Sequence, residues 1–219
     1  MAGEIGSLRE RNRQAARDAV LDAAEHLLGR GEAADFSMRQ LAAEAGVGFA
    51  TPFNHFGNKN AIMQALSARL IERMAARFVA EEPAGDAIDR VLAMGRIAVA
   101  LLLERPDVYK AVVGSLGVVS PVPSTVREHS QQLWALALGD FGGLAPDTAA
   151  IARAVLAEQL AFSFRGCVSF WIAGEIDNGD LAGSFATAAS AILLGFAAPE
   201  RRSFLLEQID RRHSTLPRI

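Results

Sequence analysis

An all-α fold, with a small three-helix unit ahead of a larger helical part, is predicted by three features of the sequence. Ala, Leu and Arg are the commonest residues while aromatic residues make up only 7% of the 219, so helix formers outweigh strand formers almost throughout. Apolar residues recur at spacings of three and four over long stretches, the period of a half-buried helix. Gly, Pro and one reciprocal capping pair divide those stretches into helices. With 51% of its residues hydrophobic, the chain can fill the core of one domain plus a small second one.

The first helix is expected from Leu8 to Gly29, where Ala16, Val20, Ala23, Ala24 and Leu27 recur at helical spacing and Gly29 ends the run. Arg9, Arg13 and Arg17 continue that angular stripe toward the N-terminus, so the start of the helix cannot pack on the same core. It either projects from the body or frays as a solvated end. The second helix carries the sharpest local signal: Ser37 is followed at the third position by Gln40, the pair that caps two orphan amides reciprocally. Phe36 and Leu41 form the matching hydrophobic staple, and loss of the Ser37 cap should cost about 1 kcal/mol. This helix runs to Ala45, and Gly46 can take the positive φ of an abrupt turn. A short third element fills 46–56, punctuated by Gly57 and Asn58. A long helix follows, in which Ile62, Leu66, Leu70, Met74 and Phe78 step by four.

The stretch Glu81 to Gly85, with Pro83 inside, breaks that helix, and Asp86 or a neighbour can cap the next. Further helices are expected at about Asp86 to Glu104, Pro106 to Leu116, Ser124 to Asp140, Asp147 to Gly174 and Asp180 to Ala198. Pro106 and Pro146 suit first-turn positions. Gly117 to Pro123 reads as a loop, and Pro199 separates a last polar helix or tail containing Arg201, Arg202, Arg211 and Arg212.

Composition narrows the function. A net charge of -3 argues against a surface that binds nucleic acid everywhere, and the first sixty residues carry seven basic against eight acidic side chains, so any such contact is local. The single cysteine, Cys167, allows neither an internal disulfide nor a cysteine-based zinc site and fits a reducing cytoplasm. Met1 to Arg17 lacks the apolar stretch of a signal peptide, and the run Val91 to Leu103 is interrupted by Arg96 and too short to span a bilayer. The sequence contains no Gly-rich phosphate loop, no His-Glu-x-x-His helix and no Gly-x-Ser-x-Gly elbow, and its four histidines are scattered. No catalytic set, no metal site and no cofactor are therefore expected.

A helix from Ser37 to Ala45, a tight turn at Gly46 and a short third helix match the helix-turn-helix, whose second helix enters the major groove. Ala42 is small where the helices approach, and Val47 plugs the joint. The segment SMRQLAAEAGVGFATPFNHFGNKNAIMQAL, with AGV, then Thr51, then His55 and Phe56, then Lys59 in order, resembles the helix-turn-helix and following helix of TetR-type repressors over about Arg11 to Arg69. The resemblance implies a regulator with a DNA-binding domain over 1–59, a helical effector-binding and dimerisation domain over 60–198 and a C-terminal helix or tail over 199–219. It implies a homodimer that binds operator DNA and a small-molecule effector, with no membrane association and repression as its action.

Carried over by position, Gly48, Phe49, Ala50 and Asn54 would face base edges, with Arg39 reaching in from the preceding helix. Thr51, His55 and Lys59 would meet phosphates. The chemistry is sound, since Arg39 can pair with guanine O6 and N7, Asn54 with adenine N6 and N7, and Phe49 or Ala50 can touch a thymine methyl. Each position also has a plainer reading: Arg39 and Lys59 as solvated charges, His55 as a packed ring, Phe56 as core and Thr51 as a helix cap. Two departures stand out. Phe53 occupies a position where the family usually has a tyrosine, and it cannot donate a hydrogen bond to a phosphate. Pro52 removes an amide and restricts Thr51, so a recognition helix capped by Thr51 and opened by Pro52 is expected, leaving Phe49 and Ala50 in the turn.

The helix Asp147 to Gly174 is apolar around most of its circumference, with Ile151, Val155, Phe162 and Phe170 beside a stripe of Leu156, Leu160, Cys167 and Trp171. The next helix is small-faced through Ala182, Gly183, Ala186, Ala189 and Ser190, as a close four-helix dimer contact requires. Tyr109, His129, Trp134, Phe162, Arg165 and Trp171 offer rings and polar groups suited to a mostly apolar ligand. The same residues would fill an ordinary helical core. Arg165, among Phe162, Phe164 and Cys167, must find a partner, snorkel or meet an acidic ligand group. The other readings are an all-α ligand-binding module or an enzyme, in either case without DNA binding.

Overall fold

The computed structural model describes residues 2–30, 35–117 and 124–213, with side chains from residue 8 to residue 211. Among the described residues the chain is helical, in ten α-helices: α1 (Ala2–Arg30), α2 (Met38–Glu44), α3 (Ala50–Phe56), α4 (Lys59–Glu81), α5 (Ala87–Glu104), α6 (Pro106–Ser115), α7 (Val126–Leu138), α8 (Ala149–Ala173), α9 (Leu181–Leu194) and α10 (Pro199–His213). A short 3-10 helix, Pro146–Thr148, precedes α8. Most of the expected loop Gly117 to Pro123, the side chain of Arg212 and the chain beyond residue 213 lie outside the described residues. No helix of the described residues is long and apolar enough to cross a membrane.

Two compact units are present, one of residues 1–69 with 105–124, the other of 70–104 with 125–219. In the first, α1 packs on α2, α3 and α6, and α2 on α3. Val20, Leu21, Ala24, Leu28, Leu41, Phe56, Ile62 and Leu66 form its core. The helix α1 starts earlier than expected, and its side chains from Leu8 to Ala15 are all exposed. The apolar pattern begins only at Ala16, so the N-terminal turns have no face to bury.

The helix α2 begins as its sequence dictates. The Ser37 hydroxyl accepts from the Gln40 amide at 3.2 Å while the Ser37 amide donates to Gln40 Oε1 at 2.9 Å, closing the capping box. It ends in a Schellman motif: Val47 N–H donates to Ala42 O at 3.0 Å and Gly46 N–H to Ala43 O at 3.2 Å. That closure holds Gly46 at φ +64°, and nothing lies within 4 Å of the position a Cβ would take. Only backbone strain therefore opposes a side chain there. Gly46→Ala is expected to cost about 1–2 kcal/mol, read as a lower urea midpoint with an unchanged slope.

In the second unit α5 contacts α7 and α9, α8 contacts α7 and α9, and α9 contacts α10. Asp86 caps α5, accepting from the amides of Ile88 at 2.9 Å and Asp89 at 3.2 Å. Trp134, Phe164 and Phe185 meet in a three-ring cluster with centroids 4.8–5.5 Å apart. Gly95 admits that cluster, because a Cβ there would lie 2.5 Å from the Phe185 ring. The helix expected to run from Asp180 to Ala198 stops at Leu194. Its last residues turn away to pair backbone to backbone, Ala145 N–H with Phe196 O at 2.8 Å and Ala198 N–H with Gly143 O at 3.0 Å, contacts between distant segments that local pattern does not carry.

Candidate nucleic-acid interface

The short helix α3 divides its residues cleanly between two sides. Pro52 and Phe56, one turn apart, are buried, whereas Phe49, Ala50, Phe53 and Asn54 are exposed. At about 100° per residue the four exposed side chains span one continuous outward face. Thr51 and His55 flank it, both half-buried. The inward side is clamped from α1, where the Arg17 guanidinium lies 4.5 Å from the centre of the Phe56 ring.

The start of α3 corrects the sequence expectation. Phe49 already has helical angles, φ -50° and ψ -36°, and the helix begins at Ala50, with no side-chain cap from Thr51. Instead Thr51 N–H donates to Gly48 O at 2.8 Å. Pro52 is the third helical residue and still falls in the first turn, where its missing amide would have had no intrahelical partner. The proline is thus accommodated without delaying the helix, and its ring supplies an inward apolar contact.

Arg39 is exposed on α2. Lys59, the first residue of α4, is half-buried; its ammonium pairs with Asp35 and lies 4.7 Å from the centre of the Phe36 ring. Burial lowers its pKa from the ordinary lysine value. A phosphate would therefore compete with Asp35 for this cation. The Asn58 side chain caps α4, accepting from Ala61 N–H at 2.9 Å. Gly48, Phe49, Ala50, Phe53 and Asn54 lie together on the surface, with Thr51 and His55 at its edge.

Further contacts of this unit escape sequence reading because they join distant positions. His26 Nδ1 lies 2.5 Å from Glu44 Oε1, and Arg69 pairs with Asp22. Arg105 donates to the backbone oxygen of Glu25 at 2.9 Å and to its carboxylate at 3.3 Å, tying α6 to α1. Burial works against the Arg69 charge, yet the hydrogen bond to Asp22 and the nearby carboxylates hold its pKa above the ordinary value.

The residues put forward for an effector differ in their surroundings. Tyr109 is buried in the first unit. Trp134 is buried in the three-ring cluster, and Trp171 is buried with its Nε1 donating to Asn178 Oδ1 at 2.8 Å. Phe162 is 49% exposed; nine residues from Trp171, it lies about half a turn away on α8. Arg165 is half-buried, which lowers its pKa from the arginine value, and His129 is half-buried on α7. Two concavities of the second unit, of about 310 and 370 Å³, share Pro83, Ala93 and Arg96, and none of these six residues lines them.

The geometry defines an all-helical protein with an N-terminal helix-turn-helix whose second helix presents a solvent-facing surface. Residues 20–66 match the family of bacterial regulatory proteins, tetR family. A TetR transcriptional regulator from Rhodococcus sp. RHA1 has a similar structure, with a TM-score of 0.70 at 22% identity over 83% of this chain and 97% of its own. A protein with unknown function from the same organism aligns with a TM-score of 0.54 at 25% identity, over 84% and 96% of the two chains. No curated protein sequence matches the chain.

Proposed function

We propose that the chain is a homodimeric repressor that binds operator DNA through α2 and α3 and is released by a small, mostly apolar ligand. The observation that carries this reading is the outward face of α3, which keeps Phe49, Ala50, Phe53 and Asn54 in solvent while Pro52 and Phe56 anchor the helix beneath. Arg39 and Asn54 read base edges; Thr51, His55 and Lys59 hold the phosphates. Residues 1–59 form the DNA-binding part, 60–198 the effector and dimer part, and 199–219 the C-terminal segment, in a cytoplasmic protein that needs no cofactor. Selecting fragments of genomic DNA on the purified protein tests this directly. A recovered common site supports the reading, and failure to enrich any site sinks it.

Two observations support the rest. His129 Nδ1, Trp134 Nε1 and Ser190 Oγ are buried in the second unit without a hydrogen-bond partner, and such atoms suit the few polar groups of an otherwise apolar ligand. On α8, Ile151 and Phe162 are 60% and 49% exposed; eleven residues apart, they share a face across three turns. That apolar stripe, with Ala182, Gly183 and Ala186 of α9, which are not buried, is the dimer surface, whereas Ala189 and Ser190 are fully buried within the chain. Phe162→Arg places a charge on it beside Arg127, whose guanidinium lies 5.6 Å from the Phe162 ring. The expected result is a halved mass by light scattering. A variant that keeps the wild-type dimer mass, or a monomeric wild type, contradicts this interface.

A further inference from the structure

The rings of Phe49 and Phe53 are 56% and 40% exposed, yet they pack edge to face with centroids 5.5 Å apart. Packing within the fold does not explain them, since the buried side of α3 is served by Pro52 and Phe56. No Asp, Glu, Lys or Arg occurs in α3. The outward face therefore offers two adjoining phenyl edges and one amide, Asn54, with Ala50 between the two rows. We infer that Phe49 and Phe53 act as one apolar reader for the C5-methyl groups of thymine in the operator, with Asn54 placed to pair with a neighbouring adenine.

The chemistry of the major groove selects this partner. Thymine alone among the four DNA bases carries a methyl group there, and a phenyl edge can bury it without meeting a hydrogen-bond donor or acceptor. Guanine and cytosine edges would leave polar atoms facing hydrocarbon, an unfavourable pairing. The same face thus selects for thymine and against G·C pairs at the contacted steps. Neither ring carries a hydroxyl that could turn toward a phosphate, and each packs edge to face on the other.

This inference rests on the operator-binding reading, and the test separates the two. Thymines of the operator recovered by genomic selection are replaced one at a time by uracil, which keeps every base pair and removes only the methyl. Mobility-shift affinity is expected to fall about fourfold at a contacted thymine and roughly fifteenfold when both half-sites are changed. 5-Bromouracil, whose bromine fills the methyl's place, restores binding. Phe53→Ser, at an exposed position, keeps the wild-type melting curve, weakens binding and loses the difference between thymine and uracil. Wild-type binding that ignores every uracil replacement overturns the inference while leaving operator binding intact, and so does a Phe53→Ser variant that still discriminates. A wild-type protein that binds no DNA overturns both.

Discussion

Trp134→Ala is expected to lower the unfolding free energy by about 3–5 kcal/mol, the range for deleting a fully buried large aromatic ring. The indole has no exposed surface, and it is flanked by Phe164 at 5.5 Å and Phe185 at 4.8 Å. Phe185 in turn fills the space that Gly95 leaves on α5, so the void cannot close by a simple shift of one neighbour. For a chain of this length the melting temperature should drop by roughly 6–20 °C. Trp134→Phe keeps a six-membered ring in the cluster and removes the unpartnered Nε1 with part of the five-membered ring. That variant should melt much closer to wild type than Trp134→Ala. A wild-type melting curve for Trp134→Ala would place the ring outside the core.

The double variant Arg39→Ala with Asn54→Ala is expected to abolish specific operator binding. Each bidentate base contact contributes about 1–3 kcal/mol of discrimination, and in a dimer each substitution is counted in both half-sites. The single variants should each weaken binding by about 30-fold or more and relax the preference at one base position per half-site. Lys59→Ala should behave differently. Its effect is uniform across sequences and smaller, because the cation must exchange its Asp35 partner for a phosphate. Footprinting on a panel of singly mutated operators distinguishes these patterns, and equal affinity for wild type and double variant would remove Arg39 and Asn54 from the interface.

The parts of this fold that the sequence announces are those decided within one turn of helix. Ser37 and Gln40 specify the start of α2 by themselves, and Gly46 with Val47 specifies its end, so both read correctly. Asp86 capping α5 and Pro106 opening α6 belong to the same class. Pro52 was harder, since its ring is compatible with any position of the first turn. Its burial, which depends on how α3 packs, accompanies a helix start at Ala50 and not at Pro52 itself. The arginine stripe of α1 ends in a contact that no spacing reveals, Arg17 over Phe56. The least legible part was the effector region. Trp134 and Trp171 are core residues, whereas Phe162 is exposed on the other side of α8, because an amphipathic pattern cannot distinguish a pocket wall from a packed interior when a helix is apolar nearly all round.

If α2 and α3 read a two-fold operator, binding depends on both half-sites together. The most direct measurement is the affinity and stoichiometry of the purified chain on a recovered site, intact and with one half-site scrambled at unchanged length. The expected result is two chains per intact site, half-sites separated by about one or more helical turns, and at least roughly a hundredfold loss when one half is scrambled. Equal binding to intact and scrambled DNA, or specific binding that survives Arg39→Ala with Asn54→Ala, would contradict it.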